Sequence, residues 1–102
     1  MYDSIREWIN VPITIKPYIK RLGNGDKVFD KEYSLLTYPV SEVVTVRNKD
    51  GVDVSSSQQF YVDGASTISL FDEVTFEGLT WEIQAIRTFY RNGIPDIKVV
   101  YL

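Results

Sequence analysis

The chain reads as an all-β protein: a small antiparallel β-barrel or sandwich, with a short helical turn at the N-terminus and a long flexible loop. Three observations lead there. Aromatic residues make up 14 % of the chain, among them seven tyrosines, five phenylalanines and two tryptophans, and this composition favours strands. Short runs alternate apolar and polar residues along most of the length. Turn residues (Gly-Asn-Gly-Asp, Asp-Gly, Asn-Gly) punctuate those runs at short intervals. With 102 residues, one domain spanning 1–102 is expected, and a chain of that size buries roughly 60–70 % of its unfolded surface.

The elements follow in order. Residues 2–10 suggest one or two helical turns: Ser4 and Glu7 have capping-box spacing, and Ile5, Trp8 and Ile9 form one apolar stripe. Such a piece is too short to stand alone. Residues 11–20 alternate, with Val11, Ile13, Ile15 and Ile19 on one parity. Pro12 and Pro17 cannot donate to a ladder, so this strand is expected at an edge or bulged. Residues 21–30 are a loop or hairpin tip. A strand over 32–38 is expected to be interrupted at Pro39. The clear strand EVVTVR, 42–47, turns through Asn48-Lys49-Asp50-Gly51 and begins its return at 52–54. Ser55, Ser56, Ser57, Gln58 and Gln59 form a polar run expected to be flexible. A strand over 60–62 ends at the Asp63-Gly64 turn.

The last third is the most regular. Val74 and Phe76 alternate with Thr75 and Glu77, and Gly78 marks a tight turn. Trp81, Ile83 and Ala85 point one way until the parity slips at Ala85–Ile86, predicting a bulge or burial on both faces. Asn92-Gly93 signals a type I′ hairpin. A two-residue loop there would set Ile86 opposite Val99, Ala85 opposite Val100 and Ile83 opposite Leu102. The last strand is then apolar on both faces and belongs inside a sheet or against another subunit.

Composition removes several chemistries. The chain has no cysteine and no histidine, so thiol, imidazole and structural-zinc chemistry are excluded. Fourteen acidic against eleven basic residues disfavour a strongly basic nucleic-acid binder. No apolar run approaches about 20 residues, so no membrane span is expected. Residues 1–10 lack a signal-peptide pattern, which makes the cytoplasm the default expectation. Asp72 and Glu73 are adjacent, so on a strand they point to opposite faces and make a poor catalytic pair; with Glu77 and Glu82 they read as solvated turn residues. Gly23-Asn24-Gly25-Asp26, even with Asp30, offers too few oxygens for a calcium loop. There is no phosphate-binding GxxxxGK[ST] loop. Lys16, Tyr18, Lys20 and Arg21 give a basic, aromatic face that could bind single strands, or could simply guard an edge strand. Tyr33, Tyr38, Tyr61 and Tyr90 suit a core or an interface. Neither a cofactor nor enzymatic activity is expected.

The run DGASTISLFDEVTFEGLTWEIQAIRTFYRNGIPDIKVVYL, residues 63–102, resembles the end of small phage head–tail connector proteins. The matching positions are Asp72-Glu73-Val74, Gly78, Trp81-Glu82-Ile83 and Asn92-Gly93 followed by residues 96–102. The likeness is closest to the stopper, or head-completion, proteins of siphophages and prophages; related head–tail joining and minor capsid proteins share similar features. It implies a small barrel without chemistry, assembled as copies of itself in a twelve-fold ring between portal–adaptor proteins and tail proteins. Such a ring closes the DNA channel after packaging and docks the tail, with packaged DNA nearby and no sequence-specific binding. The expected location is the virion, at the head–tail interface, after assembly in the host cytoplasm. The resemblance makes Asn48, Lys49, Asp50, Gly51, Ser55, Ser56, Ser57, Gln58 and Gln59 the candidate gating loop, because an uncharged Ser/Gln run can hydrogen-bond from copy to copy. Arg21, Gly23, Asn24, Gly25 and Asp26 become the candidate contact with a neighbouring ring. The alternative is a stand-alone barrel module that binds single-stranded nucleic acid or a peptide.

Overall fold

The computed structural model of the chain describes residues 8–102. Among them run eleven strands and no helix: β1 Val11–Lys16, β2 Tyr18–Arg21, β3 Lys27–Phe29, β4 Tyr33–Val40, β5 Val44–Arg47, β6 Asp53–Ser56, β7 Gln59–Asp63, β8 Glu73–Phe76, β9 Leu79–Glu82, β10 Ala85–Arg91 and β11 Ile94–Tyr101. The expected helical turn falls mainly on residues outside the described ones. Trp8 lies in a turn, where its carbonyl accepts the Asn10 amide at 3.0 Å.

Seven strands form one antiparallel sheet in the order β10-β11-β7-β4-β1-β8-β9, while β2–β3 and β5–β6 are separate two-stranded arms. The end strands β9 and β10 are consecutive in the chain, with Ile83 and Gln84 alone between them. Three Cα steps span at most about 11 Å, so the two ends of the sheet must come together and the sheet must curl. Ring packing shows the same curl. Phe60 on β7 and Phe76 on β8 are three ladders apart, about 14 Å in a flat sheet, yet their ring centroids lie 4.9 Å apart, edge to face. Inside the curl sit Ile13, Ile15, Phe60, Val62, Ile68, Val74, Ile83, Val100 and Leu102. The architecture is thus a barrel-like curled sheet, not two stacked sheets.

Several sequence expectations change under this topology. The run 11–20 breaks at Pro17 into β1 and β2, and Ile19 leaves the core to become 53 % exposed. β1 is not an edge strand, for it lies between β4 and β8. Pro12 is tolerated because β8 pairs only with residues 14–16, so β4 alone flanks β1 at Pro12. Pro39 does not interrupt β4. That strand changes partner, pairing with β1 up to Thr37 and with β7 from Tyr38, so Pro39 has a neighbour on one side only.

The last hairpin turns where Asn92-Gly93 predicts, with φ of 53° and 78° and Arg91 opposite Ile94. Its register then slips by one: Phe89 faces Ile97, Ile86 faces Val100 and Ala85 faces Tyr101. Asp96 is the extra residue. Gly64, just past the end of β7, lies against this bulge. Its amide donates to the Asp96 carbonyl at 3.0 Å, and a Cβ on Gly64 would stand 2.5 Å from the Pro95 carbonyl carbon. The backbone approach that shapes the bulge therefore requires glycine. β11 lies between β10 and β7, as its two-faced apolar pattern demands. The parity slip near Ala85 is the Ile83-Gln84 corner itself.

Candidate functional site

Both segments singled out in the sequence fall mainly in the arms, with Gln59 in β7 of the main sheet. In the β2–β3 arm, Tyr18 faces Phe29 and Arg21 faces Lys27, so residues 21–30 hold a strand as well as a loop. The tip is tied by Leu22 N–H to Asp26 O at 2.7 Å and Gly25 N–H to Leu22 O at 2.9 Å. The Asn24 side chain accepts the Asp26 amide and donates to the Asp26 carboxylate, each at 3.1 Å, and the Arg21 guanidinium donates to Gly25 O at 2.9 Å. Gly25, at φ +93°, occupies the left-handed region that glycine adopts freely. Ile19, Lys20, Arg21 and Leu22 stay exposed. The basic face expected from Lys16, Tyr18, Lys20 and Arg21 is divided: Lys16 remains in the main sheet opposite Glu73, and the other three move onto the arm.

The root of this arm is held by Asp72. Its carboxylate accepts the Tyr18 amide at 2.8 Å, the Ser69 amide at 2.9 Å and the Ser69 hydroxyl at 2.9 Å. Asp72 is 5 % exposed, which corrects its reading as a solvated turn acid: three donors offset the loss of water around a buried carboxylate. Glu73 and Glu82 face each other across β8–β9. Like charges so placed are unfavourable, and Lys27 approaches Glu82 at 3.5 Å.

The β5–β6 arm pairs Val44 with Ser56, Thr45 with Ser55, Val46 with Val54 and Arg47 with Asp53. At its tip the Asn48 side-chain oxygen accepts the amides of Asp50 and Val52, both at 3.0 Å, and Gly51 has φ +77°. This is the local Asx geometry that competes well with regular structure. The Ser/Gln run is not a loop. Ser55 and Ser56 complete β6, Gln59 opens β7, and Ser56 and Gln59 are buried. The Gln59 side chain accepts the Glu42 amide at 3.2 Å and donates to the Glu42 carbonyl at 2.9 Å and the Ser56 hydroxyl at 3.1 Å. Gln58 donates to Val40 O at 3.1 Å and accepts from the Ser41 hydroxyl at 2.9 Å. Composition suggested a polar run with little to bury; the fold uses the amides as side-chain rungs where β4 and β7 hand over to the arm. Candidate gating residues therefore divide between the exposed tip (Lys49, Asp50, Gly51, with Asn48 half-buried) and the fixed root (Ser56, Gln58, Gln59), with Ser55 and Ser57 exposed beside the root.

The structure also joins the two arms. The Lys49 ammonium lies 5.3 Å from the centroid of the Phe71 ring, and Phe71 lies 5.3 Å from the Tyr18 ring, which in turn meets Phe29 edge to face at 6.3 Å. Phe71 is 47 % exposed. Sequence reasoning missed this junction, whose one local trace is the Ser69-x-x-Asp72 spacing of a side-chain-bonded turn. Of the four tyrosines, Tyr38 and Tyr61 pair at 5.9 Å, Tyr90 is exposed, and Tyr33 packs against the core. Burial first, with Asp72 nearby and against a hydrogen bond from Thr67, raises the Tyr33 phenol above its ordinary value of 10.0. Compared with protein-family models and with curated proteins, the chain matches none.

Proposed function

We propose that the chain is a structural head–tail connector protein of a phage or prophage, stopper-like, whose copies form a ring against portal–adaptor proteins and present a docking surface to the tail. The observation that carries this reading is the pair of arms. Among the described residues they are the strand pairs outside the main sheet, and they coincide with the two segments the resemblance selects. Each displays apolar side chains to solvent: Ile19 and Leu22 on one, Val43 and Val52 beside the strands of the other. Exposed apolar groups gathered on projecting elements suit contacts with other proteins. In this reading the tip at Asn48, Lys49, Asp50 and Gly51 acts at the channel, and the Ser/Gln root holds the arm at a set angle. The nucleic-acid alternative is less well supported, because Lys16 is separated from the rest of its basic face.

The test replaces Lys49, Asp50 and Gly51 with a glycine-serine linker of equal length in the encoding phage. Replacing the Ser/Gln root would remove buried hydrogen bonds and confuse folding with gating. The tip variant should package DNA and then lose it before tails attach, so lysates should hold fewer filled heads and more free DNA. Heads that stay full with the altered tip would overturn the gating role. A genome without portal and major capsid genes beside this one would overturn the connector reading as a whole.

A further inference from the structure

We infer that the groove between the β5–β6 arm and the main sheet is a strand-addition site for an extended, acidic segment of a partner protein. The proposal is independent of the connector reading. The groove has a volume of about 420 Å³ and is lined by residues 45–47 of β5, residues 85–88 of β10, and Tyr101. Among the described residues both bounding strands have an unused edge: β5 pairs with β6 alone, and β10 ends the seven-stranded sheet with β11 as its one neighbour. Unpaired edges present amides and carbonyls that a further strand can satisfy. Here both strands line one concavity, so a single extended segment entering it has either edge to pair with. A hairpin cannot do this, because one of its edges is already used.

Charge selects the occupant. The chain carries a net charge of −3, yet the groove lining contains Arg47 and Arg87 and no acidic residue. Arg47 leans on Asp53 at 3.4 Å in an exposed pair, which contributes little. Arg87 is exposed, and its side chain makes no ion pair or hydrogen bond with the described residues. The lining alternates Arg87 with Ile86 and Thr88 along β10, so a segment alternating apolar and acidic side chains matches both faces of the slot.

The experiment uses the intact chain and three blocked five-residue peptides: Val-Glu-Val-Glu-Val, the same with lysine for glutamate, and the glutamate peptide with a central proline. Amide NMR shifts and exchange protection are followed during titration. The glutamate peptide should perturb and protect amides in both 45–47 and 85–88, the lysine peptide should not, and the proline peptide should bind more weakly. Arg87→Glu, a change at an exposed position, should weaken the glutamate peptide about tenfold, the combined effect of a lost attraction and a new repulsion, and should let the lysine peptide in. No perturbation by any peptide, perturbation of one edge only, or equal binding of the glutamate and lysine peptides would each overturn the proposal.

Discussion

Gln59 shows how a polar side chain can act as backbone. Its amide meets the N–H and the C=O of Glu42 at a place where no strand neighbour reaches them. Gln59→Ala removes the partner of both Glu42 groups at a part-buried position and one of the two bonds of the buried Ser56 hydroxyl, which keeps Gln58 O at 3.2 Å, a loss of about 1–3 kcal/mol. Urea denaturation should show that drop, whereas Ser57→Ala, at an exposed position, should change stability by less than about 0.5 kcal/mol. Tyr33 gives a pH signature. Its folded-state pKa is raised, so the folded chain holds the phenolic proton more tightly than the unfolded one. The associated stability is complete below the ordinary tyrosine value and is lost as pH rises through the folded value. Thermal melts across about pH 9 to 11 should fall more steeply for the native chain than for Tyr33→Phe. Parallel curves would show that Tyr33 adds nothing to the alkaline limb.

At the scale of elements, each arm is a two-stranded hairpin, a unit that is marginal by itself in water. Each is therefore anchored at the root, one by Asp72 and the other by Gln58 and Gln59. The tips depend on far less. Lys49 over Phe71 is an exposed cation–π contact, about 0.5–1 kcal/mol, equivalent to roughly a two- to fivefold population change. Lys49→Ala should speed hydrogen exchange at the Asp50 and Val52 amides by about that factor while leaving the Val44–Ser56 end of the arm unchanged. Unaltered exchange at the tip would mean that the two arms are not coupled through Phe71. Each arm thus combines a fixed root with a lightly held tip.

For the molecule as a whole, β11 is the strand on which closure depends. Phe60 and Ile86 lie on either side of Val100, and the Leu102 amide donates to Gln58 O at 2.9 Å, tying the end of the sheet to the root of an arm. Val100 and Leu102 are both buried, each contributing roughly 1.5–3 kcal/mol against a total stability of about 5–15 kcal/mol for a domain of this size. Deleting residues 100–102 should abolish cooperative folding, seen as loss of the near-ultraviolet circular dichroism and of the melting transition. A truncated chain that melts like the full one would show that the curl closes without β11.

Local chemistry was enough for much of this fold. The all-β class, the turns at Asn48–Gly51, Asp63-Gly64, Gly78 and Asn92-Gly93, and the interior place of the last strand were legible, because alternation, β-branching and left-handed turn residues act over a few neighbours. Both arm segments were visible as hairpin tips for the same reason. Whatever depended on a distant partner was not. Pro12 and Pro39 look forbidding until one knows that each has a ladder on one side only. The one-residue slip at Asp96 lies against the backbone of Gly64, thirty-two positions away. The Ser/Gln run looks mobile because serine and glutamine bury little apolar surface, and it becomes fixed only when Glu42, Val40 and Ser41 supply hydrogen bonds. The groove between β5 and β10 has no sequence signature at all, since it is lined by strands far apart in the chain. Short-range preferences decide which residues extend and which turn; which edges are left unpaired, and which polar groups find partners, is settled only when the sheet curls and distant strands meet.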